Sequence, residues 1–183
     1  MSKRRWTKSS QRVHPEGFTC AVCGDVHEGP PFDYAAPVPD LWLYAPDDVR
    51  EDGVLSDDLC WMKLDGDDLY FVRGVVPVRV IDSSRTFNWG VWAVVAPPDF
   101  ARVVELWDDD ERATEPPFPG WLATAPAIYP DSDGLDLMVQ LRGGNLRPTF
   151  ELVHPDHPMA AEQRNGMTVA RVQEIAELLL HSG

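Results

Sequence analysis

Proline decides what this chain can build. There are 17 prolines among 183 residues, about 9% against a usual ~5%. Proline lacks a backbone donor and has a fixed φ, so it is excluded from helix interiors and central strands. The proline-free windows are 47–76, 78–96, 99–115, 131–147 and 159–183. Only these can hold sizeable elements, which rules out a long helical bundle. A chain of this length buries roughly 70% of the surface it exposes when unfolded, so it needs no disulfide staples.

The first window carries Leu59–Leu64, then Asp65-Gly66-Asp67-Asp68, then Leu69–Arg73. Two apolar runs around an Asp-Gly turn predict a β-hairpin. Val75–Ile81 is β-branched, and Pro77 within it predicts an edge or bulged strand. Asn88–Val95 reads as a strand. Its Trp89 and Trp92 are three apart and so face opposite sides. Asp99–Trp107 reads as a short helix with Phe100, Val103, Val104 and Trp107 on one face. Residues 108–120 read as an acidic, then proline-rich loop. Further strands are expected at Trp121–Thr124, Leu135–Arg142 and Thr149–Val153, with Gly143-Gly144-Asn145 turning between the last two. A short helix is expected around Glu162 and Gln163. Thr168 caps a C-terminal amphipathic helix with an apolar stripe of Val169, Val172, Ile175, Ala176, Leu179 and Leu180. Arg171, Glu174 and Glu177 are expected elsewhere on its surface. The fold class is α+β: a mainly antiparallel sheet, an N-terminal zinc-knuckle-like segment and a C-terminal amphipathic helix.

Charge divides the chain. It holds 16 basic and 30 acidic side chains, a net of -14. Residues 1–12 contain Lys3, Arg4, Arg5, Lys8, Arg12 and no acid, so the remainder carries -19. Residues 1–16 are expected to form a basic, disordered arm and 17–183 a single domain. An acidic body repels phosphate backbones and suits a basic protein partner, so nucleic acid is an unfavoured ligand except through the arm. No apolar run is long enough for a signal peptide or a membrane span. Three cysteines, an odd number, argue against a secreted disulfide framework and for a cytoplasmic location.

Phe18-Thr19-Cys20-Ala21-Val22-Cys23-Gly24 is the most chemical stretch. Two thiols two residues apart, followed by glycine, form a knuckle whose sulfurs can face one ion. Zinc requires four ligands. His27 lies four residues after Cys23, and Cys60 opens the central hairpin. The expected site is therefore Cys20, Cys23, Cys60 and His27 around a structural zinc, with His154 or His157 as alternatives to His27. Loss of the metal would be expected to unfold at least the N-terminal third. Incidental thiols and a redox dithiol are the competing readings, and a thioredoxin-like motif would need a βαβ context.

His154-Pro155-Asp156-His157-Pro158 is a second cluster, able to ligate metal or exchange protons. The competing reading is a loop that ties the sheet to the next helix. Asp131–Asp136 resembles the start of a calcium loop but lacks the later bidentate Glu, so an Asp-Gly turn is expected. Asp108–Glu111 reads as a solvated run. There is no phosphate loop, nucleophile elbow or H-E-x-x-H motif.

Several segments together resemble a bacterial family. They are Phe18–Gly24 with His27, Asp57-Asp58-Leu59-Cys60, Phe71-Val72-Arg73-Gly74, Trp89-Gly90-Val91-Trp92, Gly120-Trp121-Leu122, and His157-Pro158-Met159-Ala160 with Glu162-Gln163. The family is domain-of-unknown-function family 2199 (DUF2199), and the similarity runs from about residue 17 to 178. The resemblance implies a single-domain, cytosolic bacterial protein and carries over no activity. The basic arm and the Asp131–Asp136 turn do not match the family pattern.

Three functions are then in view. The first is a non-enzymatic binding protein with a zinc knuckle, whose acidic surface engages a basic partner, for instance as an immunity-like protein against a basic toxin. The second is a metal-dependent hydrolase using His154, Asp156 and His157. The third is nucleic-acid binding through the arm.

Overall fold

The computed structural model describes residues 17–27 and 29–181, together with the backbone of a two-residue strand, β1 (Thr7–Lys8). The rest of the basic arm lies outside the described residues. The hairpin forms where the Asp-Gly signal predicts it. β6 (Leu59–Leu64) and β7 (Asp67–Arg79) pair antiparallel. Asp65 and Gly66 make the turn at φ 53° and 94°, the left-handed pair that a two-residue hairpin loop requires.

β7 is longer and more central than Pro77 suggests. It pairs with β8 (Thr86–Val95) along ten residues. β9 (Phe118–Leu122), β10 (Asp136–Gln140) and β11 (Thr149–Leu152) continue antiparallel in succession. β11 then meets β7 in parallel at Thr149 and Val75, so the five strands β7–β11 close into a ring. The Val75 N–H, on the β11 side, donates to the Pro148 carbonyl at 2.9 Å. Alternate residues face the same edge, so the donor that Pro77 lacks would also point to that side. There the β11 pairing has already ended, which is why proline is tolerated in a strand bonded on both edges.

Past that point Gln163 replaces a strand partner. Its amide donates to the Phe150 carbonyl at 2.7 Å and accepts from the Leu152 N–H at 2.8 Å. Gln163 sits on α4 (Pro158–Asn165), and Met167 then bonds back to the end of β7.

The ring encloses the main core, with Val72, Val76, Trp89, Val91, Leu137, Val139 and Phe150 all buried. Gly74 makes room for Phe150: a Cβ there would lie 2.3 Å from the ring. α5 (Val169–His181) adds Val172 and Ile175 to this core, and Thr168 Oγ1 caps it by accepting from Arg171 N at 3.2 Å. α3 (Pro97–Glu105) contributes Val103.

The opposite face of β6–β8 carries a second apolar cluster of Cys60, Met62, Phe71 and Trp92. It is covered by Trp42 of α1 (Asp40–Tyr44) and Val49 of α2 (Asp47–Asp52). Both Trp89 and Trp92 are therefore buried, one on each face of β8. β5 (Val54–Leu55) extends the sheet beyond β6, and β4 (Asp33–Ala35) lies beside β8 in parallel. The result is α+β with a mixed, mostly antiparallel sheet. Among the described residues no helix is long and apolar enough to cross a membrane.

Candidate metal centre

The cysteine knuckle lies on a small ribbon separate from the ring. β2 (Phe18–Thr19) pairs with β3 (Val26–His27), and the turn between them carries both cysteines. Cys20 N donates to the Asp25 carbonyl at 2.8 Å and Gly24 N to the Cys20 carbonyl at 2.9 Å. Gly24, at φ 77°, takes the left-handed conformation that lets the chain return. The Val22 N–H points at the Cys20 sulfur, 3.4 Å away. The tight turn thus aims both sulfurs to one side, as the C-x-x-C-G pattern implies.

That side faces the last turns of α5. Cys20 Sγ is 3.2 Å from His181 Nε2, and Cys23 Sγ is 3.3 Å from His27 Nε2. One ligand atom from each of Cys20, Cys23, His27 and His181 falls within 4.8 Å of all the others. Zinc–sulfur bonds of about 2.3 Å and zinc–nitrogen bonds of about 2.0–2.1 Å give tetrahedron edges of roughly 3.3–3.8 Å, so the four atoms fit one ion with small adjustment. Two thiolates and two imidazoles are soft to borderline donors, a set that suits zinc and excludes magnesium or calcium.

The electrostatics match. Burial opposes ionisation of Cys20, but hydrogen bonds from the Cys23 and Val22 backbone and from His181 bring its thiol below the ordinary value. At Cys23 a backbone hydrogen bond involving Asp25 favours the thiolate. Burial and the adjacent Cys20 sulfur outweigh it and hold the thiol above its ordinary value. Two sulfurs competing for one negative charge are relieved by a cation between them.

Behind the ligands lies Glu177, 7% exposed. Its Oε1 accepts from Ala21 N and from Gln173 Nε2, each at 3.1 Å. These bonds, Gln173 first, hold its carboxyl below the usual range despite burial. Glu177 is thus not on the outer surface of the helix as expected.

The structure gathers three of the four residues expected at the site and substitutes the fourth. Cys60 is buried in the second apolar cluster beside Phe71, where burial pushes its thiol up to about 12. It is outside the Cys/His group because β6 turns that side chain toward α1 and α2. His181 takes its place. The sequence offers no motif for this, since a lone histidine 161 residues from Cys20 looks like a basic residue at a helix C-terminus. The available signal was Gln173, Glu177 and His181 at four-residue intervals on one flank of an amphipathic helix.

His154, Asp156 and His157 do not join the group. His157 is 7% exposed and caps α4, with Nδ1 accepting from Met159 N at 3.2 Å and Nε2 2.9 Å from the Pro130 carbonyl. Both ring nitrogens are therefore engaged by backbone, as the structural reading of that loop expects. Glu162 bonds the Tyr129 hydroxyl and pairs with Arg171 at 2.8 Å. Asp131 and Gly134 form a turn with positive φ.

These features define an α+β protein with a closed five-strand ring and a Cys/His group able to hold a metal. The family described as an uncharacterised protein conserved in bacteria (DUF2199) matches residues 19–167, and the chain belongs to that family. Neither a curated protein nor a solved structure matches it.

Proposed function

We propose that Cys20, Cys23, His27 and His181 hold one zinc ion as a structural clasp between the N-terminal ribbon and the C-terminal helix. The observation that carries this reading is the convergence of four donor atoms within 4.8 Å from two distant parts of the chain. Four protein ligands leave no position for substrate, which is the pattern of structural rather than catalytic zinc. A reducing cytoplasm suits the site, because both thiols must stay reduced to bind metal. Elemental analysis of protein prepared without added metal tests the reading. One zinc per chain, lost in a Cys20→Ser, Cys23→Ser double variant, supports it; a metal-free chain that takes up no zinc on titration rejects it.

A second reading concerns partners. Residues 40–68, from α1 to the β6–β7 turn, hold ten acidic and two basic side chains, more than half of the chain's net charge. Asp47, Asp48, Glu51, Asp52, Asp57, Asp65, Asp67 and Asp68 are exposed, and Tyr44 and Val54 among them are 68% and 60% exposed. An acidic rim around apolar side chains favours a basic protein partner, attracted at long range and held at short range. Pull-down at low and high salt tests it. Recovery of a basic protein at low salt that weakens at high salt supports the reading, and no recovery at either salt counts against it.

A further inference from the structure

Among the described residues, the ribbon meets α5 through few contacts besides those of the candidate ligands themselves. Its apolar contact with the helix is one small cluster of Phe18, Cys20 and Ala176. Yet Cys20 Sγ lies only 3.2 Å from His181 Nε2, an approach the four ligands need if they are to meet. Among the described residues, one further hydrogen bond operates at that range: Ala21 N, the amide next to Cys20, donates to Glu177 Oε1 at 3.1 Å. Glu177 lies one helical turn before His181, on the same flank. It is itself held from one turn earlier by Gln173 Nε2, which donates to the same oxygen at 3.1 Å. Gln173, Glu177 and His181 thus form a column of three turns, in which the first residue fixes the second and the second fixes the knuckle opposite the third.

We infer that Glu177 is the positioning residue of the metal centre: its hydrogen bond to the Ala21 amide sets the Cys20 sulfur against His181, so that α5 supplies both a ligand and the register in which the other three meet it. This rests on the metal-centre reading above. A buried carboxylate is not needed for helix formation, and an apolar residue here would offer the Ala21 amide no acceptor. Residues behind the ligands of a metal site commonly govern affinity by about 10- to 100-fold through such orientation.

Two substitutions separate reach from charge. Glu177→Gln keeps an oxygen at the same distance and removes the charge. Glu177→Asp keeps the charge and withdraws the oxygen by one methylene. Zinc affinity is measured by competition with a chromophoric chelator, and the site's geometry by the absorption of the cobalt(II)-loaded protein. The positioning role requires Glu177→Gln to bind zinc as the native chain does, with the same cobalt spectrum. It requires Glu177→Asp to lose about 10- to 100-fold in affinity, with altered ligand-field bands. Circular dichroism of both metal-free variants should match the metal-free native chain, since a purely structural role would change that instead. Equal, native-like affinity in both variants overturns the inference and leaves the metal centre standing. Loss in Glu177→Gln with retention in Glu177→Asp also overturns it, in favour of charge. If the native chain binds neither zinc nor cobalt, the metal centre and the inference fall together.

Discussion

Chelation should detach the ribbon and leave the strand ring intact. Ordering residues 17–27 costs about 1–2 kcal/mol per residue in backbone entropy, or roughly 11–22 kcal/mol. Burial of Phe18 returns about 1.5–3 kcal/mol. The bond from Ala21 to the Glu177 carboxylate contributes about 1.5–3 kcal/mol, and four backbone bonds of the ribbon about 1 kcal/mol each. The ribbon alone is then short by roughly 1–15 kcal/mol. Zinc binding in small zinc peptides supplies about 10–16 kcal/mol, enough to close the gap. The ring has its own core, to which the ribbon adds nothing. Hydrogen exchange with mass readout, with and without chelator, follows both parts at once. Without metal, amides of 17–27 should exchange as in an unfolded peptide, while β7, β8 and the first two turns of α5 keep their protection. Unchanged protection of the ribbon would refute the energetic reasoning. Equal loss across the ring would show that the metal supports the whole domain, beyond the N-terminal third that the sequence alone puts at risk.

Other outcomes follow from the same geometry. His181→Ala leaves three ligands within eight residues, so zinc still binds the ribbon but should no longer raise the melting temperature. In the native chain free zinc at 100 times Kd should add about 2.7 kcal/mol, visible in a thermal shift titration. Gly74→Ala places a methyl 2.3 Å from the Phe150 ring, and urea unfolding should show a loss of about 1–3 kcal/mol from overpacking. Cys60 should resist alkylation at pH 8 in the folded, chelated protein while exposed Cys23 reacts, as mass spectrometry of the labelled peptides would show. Burial raises the Cys60 thiol from 9.0 to about 12. The stability its neutral form provides is therefore complete below the unfolded value and lost as pH rises through that range.

Local signals carried most of the elements. The Asp65-Gly66 turn, the β8 run and the Thr168 cap act over a few residues and appear where those residues place them, and the α5 stripe does so except at its end, where Leu180 is exposed. Proline misled in an instructive way. Pro39 and Pro46 sit at the N-caps of α1 and α2, and Pro97 and Pro158 open α3 and α4. In a helix's first turn the missing N–H has no partner to lose, so all four prolines start helices; α3 and α4 fall where short helices are expected, whereas a reading of proline as a breaker overlooks α1 and α2. Ring closure was not legible, because it depends on β11 reaching β7 across more than seventy residues. The candidate site divides along the same line. Cys20, Cys23 and His27 belong to one local turn, whereas choosing between Cys60 and His181 required knowing which faces β6 and α5 present.

The distance between the two halves of the clasp also sets an order of events during synthesis. Cys20 and His181 are 161 residues apart, and at roughly 5–20 residues per second the histidine is added about 8–32 s after the cysteine. Throughout that interval the nascent chain displays two thiols and one imidazole without their fourth companion. Any ion captured then is held by an incomplete set and can be exchanged or surrendered to a competing thiol. On the zinc-clasp reading, four-ligand binding waits until translation has delivered α5 and the ring has folded beneath it, so a filled centre would mark a chain whose ribbon and α5 have already come together.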